Sequence, residues 1–191
     1  MAVSADGLTV METGRLLLPP TDLRIAADTA AVLAGGTSIS RLILAHALTG
    51  RLPTDRVRRR GALDVFGATS PADIRGRSLL ALPWRARSRP TAVGRRLAAL
   101  DWAAERAVSV RNPSRLLIVL SPGLEGLQPD EVAQVAAAAT NVHALGPTVL
   151  VTGTDQLLTA HNPTPSMTSQ HEHEANPRTI SATITVTALP S

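Results

Sequence analysis

The sequence predicts an α/β domain built on a mostly parallel β-sheet, with an antiparallel β portion at its N-terminal end. Three observations predict it. Short apolar runs recur at Ala30–Ala34, Ser78–Leu82, Arg115–Leu120 and Thr148–Thr152. Helical segments lie between them, and strands that alternate with helices favour parallel pairing. The run that ends at Leu120 has no polar residue after Arg115, as a strand buried on both faces requires.

Taken in order, residues 3–11 and 15–25 read as two strands around a Glu12-Thr13-Gly14 turn, and Pro19-Pro20 makes the second an edge or broken strand. Ala30–Ala34 is a short strand. A helix over Arg41–Leu48 follows, capped by Ser38 or Ser40 and ended by Gly50. Arg58–Phe66 is a strand, and Ser70-Pro71 starts a helix with serine as cap and proline in the first turn. Ser78–Leu82 is a strand, and Pro83–Pro90 an arginine-rich loop. Thr91–Val110 is a helix with Val93, Leu97, Leu100, Ala104 and Ala107 near one face, and Trp102 packed beside it. Pro129-Asp-Glu opens a helix that runs to Ala144, with its acids where the helix dipole favours them. Thr148–Thr152 is the next strand.

From His161 the composition turns to Asn, Pro, Thr, Ser and His, so residues 1–160 form the expected domain and 161–191 a polar tail. The tail is expected to be disordered over 162–178, with an edge strand or an unpaired segment at 179–189. No internal repeat is evident.

Composition narrows the chemistry. The chain has no cysteine, which excludes disulfides, thiolate metal sites and cysteine nucleophiles. Phe66, Trp84 and Trp102 are the only aromatic residues, few for a protein that stacks nucleic-acid bases. All 19 basic residues are arginine, and the net charge is +4. Twelve arginines lie between Arg51 and Arg96, including Arg56-Val-Arg-Arg-Arg60, against Asp55, Asp64 and Asp73. That stretch reads as a solvated arginine-rich face or as a contact for phosphate, anionic lipid or an acidic partner. No apolar run approaches the roughly 20 residues of a membrane span. Met1-Ala-Val-Ser-Ala-Asp lacks the basic start and apolar stretch of a secretory signal, so a cytoplasmic location is expected, at the membrane only through a partner.

The segment Ala31–Gly50 has the layout of strand, glycine turn and helix that a phosphate-binding loop would have, but not its letters. The pattern G-x-x-x-x-G-K-[ST] needs a lysine for the phosphates and a hydroxyl for Mg²⁺. Here Gly35 stands at the first glycine, Ser40 replaces the second, Arg41 replaces the lysine and Leu42 the hydroxyl residue. Gly35, Gly36, Thr37, Ser38, Ser40 and Arg41 are therefore the candidate binding residues, good for residual anion binding or weak ATP binding at most. Arginine can grip phosphate, but its fork is bulkier than an ammonium, and Ser40 adds a side chain where the backbone must approach closely.

In that order of pieces the chain resembles the ATP-binding cassette domain of ABC transporters, over roughly residues 3–160. Gly7-Leu-Thr-Val and Pro20-Thr-Asp-Leu-Arg-Ile look like that family's opening antiparallel strands. Ala31–Gly50 aligns with its P-loop strand and helix without a gap, and Gly61-Ala-Leu-Asp-Val-Phe-Gly looks like the strand and turn that follow. Asn112–Pro122 is similar to the Walker B approach, Gly126–Glu131 to the D-loop and the helix behind it, and Thr148–Asp155 to the last core strand and the switch-histidine loop. The resemblance implies a P-loop NTPase-like fold. Other Rossmann-like or P-loop domains share the individual pieces.

The departures from the family pattern concern its chemistry. Leu120 and Ser121 lie where the resemblance places the Mg²⁺-linked aspartate and the catalytic glutamate. Gln128 replaces the D-loop aspartate, Thr154 the switch histidine and Trp84 the Q-loop glutamine. The Leu-Ser-Gly-Gly-Gln signature is missing, with Gly94 its nearest glycine, and the helical subdomain is largely deleted. No aromatic stands in the opening turn where the family stacks adenine; Met11 is the nearest bulky residue.

Other candidates are weaker. His171-Glu-His-Glu174 lies in the polar tail, where a metal site has no scaffold. His46 and His143 read as packing or surface residues. Ser121 lacks the glycine-flanked elbow and the His–acid pair of a hydrolase.

The sequence therefore points to a catalytically degenerate, cassette-like subunit of an ABC-type transport complex, a pseudo-ATPase with no catalytic residue, metal or cofactor of its own. Its partners would be a membrane subunit, an intact ATPase, or both, with self-association also open. Two alternatives stand beside it: a divergent cassette that still binds or hydrolyses ATP with an active partner, and an arginine-rich accessory protein for nucleic acid.

Overall fold

The computed structural model describes residues 1–53, 55–86, 88–153 and 184–189. The expected tail over 162–178, His171–Glu174 and Thr154 lie outside these. Among the described residues the chain forms eight strands and four α-helices in three layers.

The first layer is antiparallel. Strands β1 (Val3–Glu12) and β2 (Arg15–Ile25) form the expected hairpin, with Val3 opposite Ile25 and Glu12 opposite Arg15. Strand β4 (Val57–Val65) pairs antiparallel on the other side of β1, so β2, with its prolines, is an edge strand. Phe66 falls outside β4 because it turns the chain at φ 51°.

The central layer is the parallel sheet. Strands β3 (Ala30–Gly35), β5 (Ser78–Ala81), β6 (Leu117–Leu120) and β7 (Thr148–Thr152) lie in the order β5-β6-β7-β3, each adjacent pair parallel. Strand β8 (Ile184–Ala188) adds to the outer edge of β3, antiparallel to it.

Alternation along each parallel strand divides the core. Ala31, Leu33, Leu117, Val119 and Leu150 point to helix α1 (Ser38–Leu48) and the antiparallel layer. Val32, Ala34, Ile118, Leu120, Val149 and Val151 point to α3 (Ala92–Val108) and α4 (Pro129–His143). Both faces are apolar because both are covered. The short α2 (Pro71–Gly76), capped by Ser70 as expected, packs near β5.

Three local expectations change. Helix α1 begins at Ser38 rather than Arg41, because Thr37 is extended and its Oγ1 accepts the Ser40 amide at 3.0 Å, making Thr37 the cap. Residues Pro113–Arg115 form a single 3-10 turn, so β6 starts at Leu117. On α3 the buried face is Arg96, Ala99, Leu100, Ala103 and Ala107, a small rotation from the expected stripe. That rotation leaves Trp102 36% exposed, with the Arg106 guanidinium 5.9 Å from its ring centre.

Between β5 and α3 lie only residues 82–91, which begin with a 3-10 turn at Pro83–Arg85. No larger helical unit is inserted there, and the helical part of the fold is accordingly reduced.

Ile118 is fully buried at the centre of the sheet against α3 and α4. Ile118→Ala is expected to cost about 2–5 kcal/mol by loss of burial and cavity formation. Urea denaturation, with the slope of the transition unchanged, measures it.

Candidate functional site

The site is built where β3 delivers the chain to α1. Gly35 and Gly36 have φ of 83° and 60°, a left-handed pair that few other residues adopt, and Thr37 then caps the helix. The glycine turn is therefore short. Residues 38–40, which in a phosphate-binding loop would still be loop with amides turned to the ligand, are already in the first helical turn.

Arg41 is the fourth residue of α1 and is buried, with 4% of its surface exposed. Side chains on a helix lean toward its N-terminus, so a long one at this position reaches back over the first turn. Its Nη1 donates to the Gly35 carbonyl at 2.9 Å and to the Gly36 carbonyl at 3.0 Å. Its Nε donates to Glu125 Oε1 at 3.1 Å. A cation near a helix N-terminus opposes the dipole; two carbonyls and a carboxylate offset that here.

Glu125 belongs to the loop between β6 and α4. Its Oε2 accepts from Thr152 Oγ1, at the end of β7, at 3.3 Å. Arg96, buried on α3, holds the same loop from the other side. It donates to the Gly123 carbonyl through Nε, and to the Glu125 carbonyl through Nη2 at 2.7 Å. Burial lowers the Arg96 pKa, and the Glu125 charge opposes that shift; the guanidinium stays protonated throughout the usable pH range. Gly123 fixes the approach of the loop to β7. Its amide donates to Thr152 Oγ1 at 2.9 Å, and a Cβ there would run into the Thr152 carbonyl.

The remaining candidates divide clearly. Gly35, Gly36 and Arg41 meet in this network. Thr37 Oγ1 and Ser40 Oγ lie 2.9 Å apart, and Ser40 Oγ also donates to the Leu17 carbonyl at 3.3 Å, away from Arg41's partners. Ser38 is exposed at the helix start. Leu120 lies in the α3–α4 core, and Ser121 is buried with its amide bonded to the Ala81 carbonyl at 3.2 Å. Gln128 caps α4, its amide donating to Glu131 Oε2 at 2.9 Å. Gly94 sits in the first turn of α3, its amide bonded to Thr91 Oγ1 at 3.1 Å. Trp84 is on the 3-10 turn, 44% exposed.

Glu125 is a member of this network that the sequence does not single out. It stands five positions beyond the end of β6, outside the two places where a carboxylate was sought. The available signal was its being the only acid between Glu105 and Asp130. Among the described residues no group of three or more His, Asp or Glu side chains is placed to hold a metal. His143 donates through Nδ1–H to the Pro147 carbonyl at 2.9 Å, and His46 Nδ1 lies 3.3 Å from the Arg51 carbonyl.

No protein-family model matches this chain, and no curated protein sequence does. Solved structures do. One is cbiO1 from Clostridium perfringens, part of the ABC transporter complex cbiONQ, with a TM-score of 0.54 and 12% identity over 81% of this chain and 78% of that one. Another is a bacterial Atm1-family ABC exporter with ATP bound, with a TM-score of 0.51 and 12% identity, over 83% of this chain but 35% of the exporter's.

The network makes Glu125 and Arg41 unequal. Glu125→Ala leaves a buried guanidinium without its counter-charge and is expected to cost about 3 kcal/mol, the lower end for breaking a buried pair. Arg41→Ala leaves Glu125, whose side chain is 20% exposed, free to hydrate, and costs less. Paired urea denaturation curves test the order. With the sheet order, the helix layers and both structural likenesses in view, the chain has the fold of the ABC transporter ATPases.

Proposed function

We propose that the chain is a catalytically degenerate, cassette-like subunit with a structural or regulatory role in an ABC-type transport complex. The observation that carries this reading is the position of Arg41. Its guanidinium is bonded to the two glycine carbonyls and to Glu125, turned inward where a working loop would extend a lysine toward phosphate. Glu125 supplies, from within the chain, the negative charge that a nucleotide would bring to a helix N-terminus. An ATP phosphate would have to displace that carboxylate and then meet a helical first turn in place of a cradle of free amides. With leucine at the hydroxyl position and Leu120 and Ser121 at the carboxylate positions, no side chain there is suited to anchor Mg²⁺ or orient water. Binding of ATP or another anion at Gly35–Arg41 is weak at most.

The transport context rests on the fold and on its neighbours, one of which is part of a transporter complex. Among the described residues no helix is long and apolar enough to cross a membrane, and a cytoplasmic site at the membrane's inner face, held by a partner, fits this. Trp84 and Trp102, both exposed beside the reduced helical region, give a membrane subunit or an intact ATPase an apolar surface to cover. A second reading has one observation in its favour: Glu125 is a carboxylate in the loop after β6, so an active partner that drew Arg41 away would leave it free to act as a base.

The purified chain is expected to show no Mg²⁺-dependent ATP hydrolysis above background, alone or co-expressed with a transporter's membrane subunit. Turnover at ordinary ATPase rates, of about 1 s⁻¹ or more, that is lost in Glu125→Gln would replace the first reading with the second.

A further inference from the structure

The arginine run at the start of β4 has no part in the site above, and the strand sorts its members. Arg59 turns to the protein, its Nη2 donating to the Thr69 carbonyl at 3.3 Å. Arg58 and Arg60 point the other way, as alternation requires, and stand about 7 Å apart along the strand. Both are exposed, and among the described residues neither has a hydrogen-bonded or ionic partner. Arg56, just before the strand, lines the same side. Among the described residues it forms one ion pair, with Asp55 at 3.7 Å, both side chains about three-quarters exposed, a pairing that water largely screens.

These arginines do not stand on a flat face. Met11 from the end of β1, Thr13 and Gly14 from the turn after it, and Asp55, Arg56, Arg58 and Arg60 line a groove with a volume of about 510 Å³, in which three guanidinium groups outnumber the one carboxylate. That is the size of a small-molecule site rather than of a docking face for a macromolecule. The cross-strand register sets Met11 opposite Arg58 and Thr9 opposite Arg60, so the wall is held by the sheet. No aromatic lines the groove, so a nucleobase has nothing to stack on; what it offers is several guanidinium forks at short spacing.

We infer that this groove is a binding site for a small soluble anion with two or more linked phosphates, held by Arg56, Arg58 and Arg60. Linked phosphates place several charges within reach of neighbouring forks. A single carboxylate or phosphate would engage one fork and leave the others unpaired. The site shares no residue with Gly35–Arg41 and does not depend on the proposed function.

The test is calorimetric titration of the full chain with inorganic tripolyphosphate at low salt, with orthophosphate as the comparison. Tripolyphosphate is expected to bind at one site, at least tenfold more tightly than orthophosphate. Arg58→Ala/Arg60→Ala should weaken binding at least tenfold, and Arg59→Ala should leave it within twofold. Arg58 and Arg60 are exposed and Arg59 is half-buried, and circular dichroism checks that the variants fold. Absence of saturable binding, or equal loss in Arg59→Ala, overturns the inference. Binding kept in the double variant but lost in Arg41→Ala overturns it too, and would place the anion at the glycine turn, against the proposed function. Retention by phosphatidylglycerol vesicles that tripolyphosphate does not compete away would assign the arginines to a lipid surface and likewise overturn it.

Discussion

A single buried guanidinium organises the loop end of the parallel sheet. Arg41 joins the glycine turn after β3 to the loop after β6, and through Glu125 that loop is joined to the end of β7. Arg96 clamps the same loop to the start of α3. Three strand ends are thus bound to each other by side chains, at the edge of the sheet where folds of this class usually keep an open crevice for ligands. An ion pair in such a place is costly to desolvate, and its partners repay that cost only through good geometry. Here every donor named on Arg41 has an acceptor, and no buried side-chain polar atom among the described residues lacks a partner.

The fold was legible because the sheet is buried on both faces. Runs such as Leu117–Leu120 and Val149–Val151 are apolar at every position, a pattern with few alternatives. Helix starts with cap chemistry, such as Ser70-Pro71, were equally plain. The start of α1 was not, since Thr37, Ser38 and Ser40 are all capping residues. Only the extended backbone at Thr37 decides among them, and the choice matters because it winds the would-be cradle into helix. The exposure of Trp102 was hidden for a related reason. A helix covering a sheet with small residues can rotate slightly, and Arg96, buried for its hydrogen bonds, takes a place on the inner face that a hydrophobicity pattern denies to arginine.

The candidate site was legible in its losses and not in its replacement. The absent lysine, hydroxyl and paired carboxylates are visible in the letters. Glu125 is not, because its partner Arg41 is 84 residues away and the contact exists only through the sheet order that brings β3, β6 and β7 together. The arginine run shows the same limit. As sequence, Arg56-Val-Arg-Arg-Arg60 is one block of charge; as a strand, it divides into a residue bonded back to the protein and others left for a groove.

The account stands on Arg41 being held inward by Glu125 in solution. The most direct measurement is nitrogen-15 NMR of the Arg41 Nε–H, together with the Gly35 and Gly36 amides, with and without Mg·ATP. The account predicts a Nε–H signal that exchanges slowly with water, collapses in Glu125→Ala, and does not move, like the two glycine amides, on addition of millimolar Mg·ATP. A Nε–H in fast exchange in the unmodified chain, with saturable shifts of Gly35 and Gly36 on nucleotide addition, would contradict it.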